Sequence, residues 1–130
     1  MKKLLVISVT ILMTLTVLAS SPKKGVEVLY FKAQLSCCQA RACNTLENDI
    51  KTLIAANFDT SKVTFTEVLL ADAKNKALVE QYKAKSQTVV VVNAKKKKTM
   101  DVSDLVRTYL RNGDKATFEK ELIQKIKNLK

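Results

Sequence analysis

The sequence predicts a single α/β domain in which strands and helices follow one another as β-α-β-α-β-β-α-α around a four-stranded mixed sheet. Three observations carry this. Short β-branched apolar runs alternate with longer segments whose apolar residues recur every three or four positions, the signatures of strand and helix. Two glycines and one proline in 130 residues leave little material for a many-turned β architecture. A 47% hydrophobic and 27% charged composition is that of a folded globular chain, long enough for one domain and not two.

Met1-Lys2-Lys3 followed by the uncharged apolar run Leu4 to Leu18, with Val17-Leu18-Ala19 offering a cleavage site, reads as a signal peptide over residues 1–19. The run is shorter than the ~20 residues of a comfortable membrane span; an uncleaved N-terminal anchor is the rival reading. Either way, residues 20–130 form an exported domain, periplasmic or otherwise extracytoplasmic. Loss of Lys2 and Lys3 with the leader takes the net charge from +11 to +9. For an exported chain that charge first of all serves solubility, and its expected counterpart, where there is one, is anionic lipid or polysaccharide before nucleic acid.

The elements follow in order. After the polar leader Ser20 to Gly25, Val26 to Phe31 reads as a strand apolar on both faces apart from Glu27, hence central. The stretch Ser36-Cys37-Cys38-Gln39-Ala40-Arg41-Ala42-Cys43 holds all three cysteines. A helix then carries Leu46, Ile50, Leu53, Ile54 and Asn57/Phe58 on one stripe, and Cys43 falls on the same stripe, facing the core. Its start is open between two capping patterns, Ser36-x-x-Gln39 and Asn44-x-x-Glu47. Val63 to Leu70 is a second strand. Ala71 to Ala84 reads as a helix capped by Asp72, and Thr88 to Asn93 as another central strand.

Lys96 to Met100 is expected to form a short edge strand whose lysines discourage unwanted pairing. Asp101 or Ser103 can cap a helix through Leu105, Val106, Tyr109 and Leu110, ending near Asn112-Gly113. A last helix, capped by Asp114 or Thr117, has Phe118, Leu122, Ile126 and Leu129 on its stripe. Strand-helix-strand units closed by a hairpin and a C-terminal helix make the thioredoxin-like arrangement, which keeps its redox cysteines where the first strand passes into the first helix.

Val26 to Phe31, Cys43-Asn44-Thr45-Leu46-Glu47, the Val89 to Val92 strand and Asp114-Lys115-Ala116-Thr117-Phe118 together carry a resemblance to the small exported thioredoxin-like proteins of the nitrophenyl compound nitroreductase subunit ArsF family. The resemblance implies a thioredoxin-like fold and a cysteine pair. Cys43 matches the second cysteine of the family's Cys-x-x-Cys; the first falls at Ala40, so Cys38 or Cys37 stands in from upstream. The proline that thioredoxins hold opposite the pair is replaced by Ser86-Gln87-Thr88. No glycine-rich loop or flavin motif is visible, and no cofactor is expected.

The function expected of Cys37, Cys38 and Cys43 is thiol–disulfide redox chemistry, as in a thiol-disulfide oxidoreductase. Cys38 would be the attacking thiol, activated by the helix N-terminus and Arg41, and Cys43 the buried resolving thiol; Cys37 can replace Cys38. The partner would be a redox protein or a small thiol or disulfide. Two alternatives stay open. One is a structural disulfide with a spare thiol in a non-catalytic domain. The other is binding of a soft ion, Cu(I) or arsenite, by the same three thiolates. With no histidine and three cysteines, a histidine-containing zinc site and a four-cysteine zinc site are both excluded within one chain. Glu67 is either a semi-buried proton acceptor for the thiols or an acid on an edge strand. Lys95, Lys96, Lys97 and Lys98 are either a solvated hairpin or a weak contact with an anionic membrane surface.

The helix start decides the pairing. On a helix running through both residues, Cys38 and Cys43 stand about 8–9 Å apart at Cα, beyond the ~7 Å limit of a disulfide. With a later start the pair can close.

Overall fold

A computed structural model describes residues 25–34 and 38–130, with residues 38–40 described by backbone alone. The expected signal peptide and Cys37 lie outside the described residues, as does the side chain of Cys38.

The strands are β1 (Val26–Lys32), β2 (Val63–Leu69), β3 (Thr88–Asn93) and β4 (Lys98–Asp101); the helices are α1 (Cys38–Asn57), α2 (Lys76–Gln81), α3 (Ser103–Asn112) and α4 (Lys115–Leu129). They build one mixed sheet of order β2-β1-β3-β4. β1 and β2 are parallel, joined by α1, while β3 runs antiparallel to both β1 and β4. This is the thioredoxin-like α/β arrangement, with β1 and β3 central as their unbroken apolar runs predict.

Alternation along β1 explains why the run has no polar face. Val26, Val28 and Tyr30 point into one core with the stripes of α1, α3 and α4. Leu29 and Phe31 point the other way, into a smaller core with Val68, Val90 and the partly buried Leu78, Val79 and Tyr82. The α1 stripe is as expected: Cys43, Leu46, Ile50, Leu53 and Ile54 are buried. So is the α4 stripe of Phe118, Leu122, Ile126 and Leu129. Phe118 stacks on Tyr109, ring centroids 4.6 Å apart. The Tyr109 hydroxyl donates to Asp49 at 2.8 Å and Lys115 Nζ to the other Asp49 oxygen at 2.7 Å, tying α1 to α3 and α4. Asn93 is buried in the sheet. It donates to the Leu129 carbonyl at 2.8 Å and accepts from Lys96 N–H at 3.0 Å, fastening the end of α4 to the β3–β4 turn.

Three local expectations change. The helix expected over Ala71 to Ala84 is a 3₁₀ turn (Ala73–Asn75) followed by the six-residue α2. Asp72 does cap the turn, accepting from Lys74 N–H. Ala73 and Ala77 are exposed and bring too little apolar area to hold a longer helix on the sheet. β4 begins at Lys98, because residues 94–97 form the turn, with Lys97 at φ 52°. At α3 the N-cap position is Val102, without a side-chain bond. Asp101 accepts from Ser103 N–H at 2.8 Å, and the Ser103 hydroxyl accepts from Val89 N–H at 3.1 Å. The end of α3 at Gly113, in the left-handed region at φ 70°, and the Asp114 cap of α4 are as expected.

Gly25 fixes how β1 enters the sheet. It has φ 135°, and a Cβ there would lie 2.2 Å from the Lys62 carbonyl oxygen, the acceptor of Val26 N–H. A Gly25→Ala variant is expected to lose about 2–3 kcal/mol, combining backbone strain with a forced shift of the β1–β2 start. Urea denaturation checks it; an unchanged midpoint would show that the strand entry relaxes freely.

Candidate functional site around Cys43

The chemically distinctive residues gather where β1 and β2 end, β3 begins and α1 starts. This is the carboxyl edge of the parallel strands, where open α/β sheets commonly place their sites. α1 begins at Cys38, two residues after Ser36, so Asn44 and Glu47 lie well inside it. The later start that would let Cys38 and Cys43 close is therefore not the one adopted. Five helical steps separate them by about 8–9 Å at Cα and about 140° around the axis. A disulfide between them requires the first turn of α1 to open.

Cys43 is 1% exposed. Its Sγ lies 3.6 Å from Gln87 Nε2, which donates to it, and 3.9 Å from the Ser86 hydroxyl. Gln87 sits at φ 66°, held by its N–H to the Phe31 carbonyl at 2.9 Å, while Lys85 N–H donates to the Thr88 hydroxyl at 3.0 Å. The Ser86-Gln87-Thr88 segment thus packs directly on the thiol without a proline. Ser86 is exposed, so the thiol lies one side chain below the surface. An open groove of about 460 Å³ begins at Ser86 and Gln87 and is bordered by Lys83, Lys85 and Arg107.

Below the thiol lies Tyr30, fully buried, its hydroxyl donating to the Cys43 carbonyl at 3.1 Å. Burial, with Cys43 and the acids Glu47 and Glu67 nearby, pushes the phenol far above its ordinary value. Tyr30 is accordingly a fixed donor and never a phenolate at ordinary pH.

One turn after Cys43, Glu47 is 7% exposed. It accepts from Lys32 Nζ at 2.7 Å and from Lys51 Nζ. Burial alone would raise its carboxyl, but the bonds from Lys32 and Lys51 outweigh it and hold the group at about 2. The Lys32 ammonium is correspondingly raised by its bond to Glu47. Lys51 also lies 5.2 Å from the Phe65 ring centre. Glu67 is the edge-strand acid: it is exposed on β2 and meets Lys32 at 3.4 Å.

Of the sequence candidates, the structure buries Cys43 and begins the helix at Cys38; Arg41 is exposed on its first turn. Tyr30, Lys32 and Glu47 were not expected at the site, whereas Gln87 belongs to the segment that the resemblance set opposite the cysteines. Glu47 was read as half of a capping pattern, yet its spacing of four from both Cys43 and Lys51 already marked one helix face. Among the described residues no group of three acidic, cysteine or histidine side chains is poised for a metal; of the soft-ion candidates, only the Cys43 side chain is described. Among the described residues, no helix is long and apolar enough to cross a membrane.

No protein-family model matches the chain, and no curated protein matches it. Among solved structures the chain is similar to one described as "Structure of a malarial protein", at 22% identity and a TM-score of 0.42, over 68% of this chain and 97% of that one.

Proposed function

We propose that the chain is an extracytoplasmic thiol–disulfide exchange protein acting through the cysteines at the head of α1. The observation that carries this reading is the shallow burial of Cys43 at the carboxyl edge of the sheet, in contact with Ser86 and Gln87, with Cys38 at the first position of the same helix. The free N–H groups of a helix N-terminus favour a thiolate at Cys38.

That thiolate attacks a partner disulfide; the new S–S bond forms a mixed disulfide and the first partner sulfur leaves as a thiolate. When the first turn of α1 opens, the Cys43 thiol loses its proton and its sulfur attacks Cys38 Sγ. This closes the Cys38–Cys43 bond and releases the second partner thiolate, which takes up the proton. The pair gives two electrons to the partner. Cys37 is the alternative first nucleophile.

The opening step makes closure slow, and the Gln87 and Ser86 contacts return Cys43 to the core after each turnover. The partner is a redox protein or a small thiol or disulfide.

Alkylation of the mature protein before and after reductant, counted by mass spectrometry, tests the proposal. After exposure to oxidised glutathione one label is expected, rising to three on reduction. Cys43→Ser should accumulate the mixed disulfide. Three labels under both conditions would sink the reading, and a pair resistant to strong reductants would make the disulfide structural.

A further inference from the structure

We infer that the pole of the sheet opposite the cysteines is a docking surface for anionic lipid headgroups, turning the head of α1 away from the bilayer. The strand register defines this pole. Val26 pairs with Val63 on one side and with Asn93 on the other, and Asn93 pairs with Lys98. Lys62, which precedes β2, therefore shares this end with the Lys95-to-Lys98 run. Asn93 holds the end of α4 there as well, and Asp59, beside Lys62, lies in the field of Lys130. All of these lysines are exposed.

The two poles differ in the share of their cations that is balanced by acids. At the cysteine pole Lys32, Lys74, Lys76 and Arg107 are ion-paired, with Glu47, Asp72, Glu80 and Asp104, while Arg41, Lys83 and Lys85 have no ion pair among the described residues. At the opposite pole only Lys62 is ion-paired, with Asp59 at 3.9 Å, and Lys95 to Lys98 and Lys130 have no ion pair among the described residues. Protection of an edge strand accounts for lysines on β4 and its turn. It does not account for Lys62 or Lys130, which lie outside that strand. A set of lysines balanced by few acids does suit a diffuse anionic plane.

Chain entry points the same way. Gly25 begins the domain at this pole, and in sequence it follows Lys23, Lys24 and the apolar run Leu4 to Leu18. Whether that run is kept or removed, the polypeptide enters the domain on the lysine side. The seven residues of β1 then set the cysteine pole about 20 Å away.

Lysine footprinting on the full chain tests this with a water-soluble acylating reagent, with and without vesicles of equimolar phosphatidylglycerol and phosphatidylcholine. Lys62 and Lys95 to Lys98 should acylate several-fold more slowly on the vesicles, while Lys74 and Lys76 should not change. Lys96→Gln with Lys97→Gln should weaken partitioning about fivefold per lysine removed, and high salt should erase the phosphatidylglycerol-dependent part. Lys74→Gln with Lys76→Gln should leave it unchanged. Uniform protection of all lysines would overturn the inference. So would equal partitioning of native and variant chains, or binding to duplex DNA that these vesicles do not compete away.

Discussion

A Phe118→Ala variant is expected to lose about 3–5 kcal/mol of folding stability, the cost of deleting a buried aromatic and leaving a cavity. Phe118 is 1% exposed, belongs to the larger core, and is the face on which Tyr109 stacks. Its removal also frees Tyr109, the residue that hydrogen-bonds Asp49 of α1. A domain of this size typically holds about 5–15 kcal/mol in all, so the variant should unfold at a much lower urea concentration with an unchanged slope. Phe118→Leu, which refills most of the volume, should recover more than half of the loss. An alanine variant within 1 kcal/mol of the native chain would mean that α4 is not part of the cooperative core.

The second large effect is electrostatic. The Glu47 carboxyl titrates near 2 in the folded protein against an ordinary 4.5. A depressed acid stabilises the fold fully above its unfolded value and loses that contribution as pH falls through the folded one. Stability should therefore be flat from neutral pH to about 5, then drop by about 3 kcal/mol on the way to pH 2. Glu47→Gln should cost about 2–3 kcal/mol at pH 7, since it leaves Lys32 beside a neutral amide in a half-buried setting. It should also flatten the acid limb. The measurement is urea unfolding at stepped pH; native and variant limbs of equal steepness would show that Glu47 is not the group responsible.

The sequence carried the periodic features well, and the structure shows why. Cys43, Leu46, Ile50, Leu53 and Ile54 obey a helical spacing that burial enforces, so their common face could be read without any tertiary information. The double-faced run of β1 reported its central place for the same reason. What escaped was whatever depends on a distant partner. Lys32 and Glu47 are 15 positions apart and meet only once α1 lies on β1. Gln87 is 44 positions from Cys43; the resemblance set its segment opposite the cysteines, but its bond to the thiol goes with a positive φ that no glycine announced. The turn before β4 was expected to end ahead of Lys96 and runs on to Lys97, because Lys97 supplies the left-handed residue that a glycine or asparagine would have advertised.

The bond from Asn93 to the Leu129 carbonyl has a bearing on timing. β1, β2 and β3 can pair once residue 93 is available, but the buried amide of Asn93 and the core beneath α4 stay open until that helix has been made. At a synthesis rate of about 5–20 residues per second, residues 94–129 occupy about 2–7 s. During that interval the sheet is paired yet unsealed, with an apolar face available to chaperones or to other nascent chains. Shifting α4 to the front of the chain by circular permutation should shorten this interval and reduce aggregation during expression.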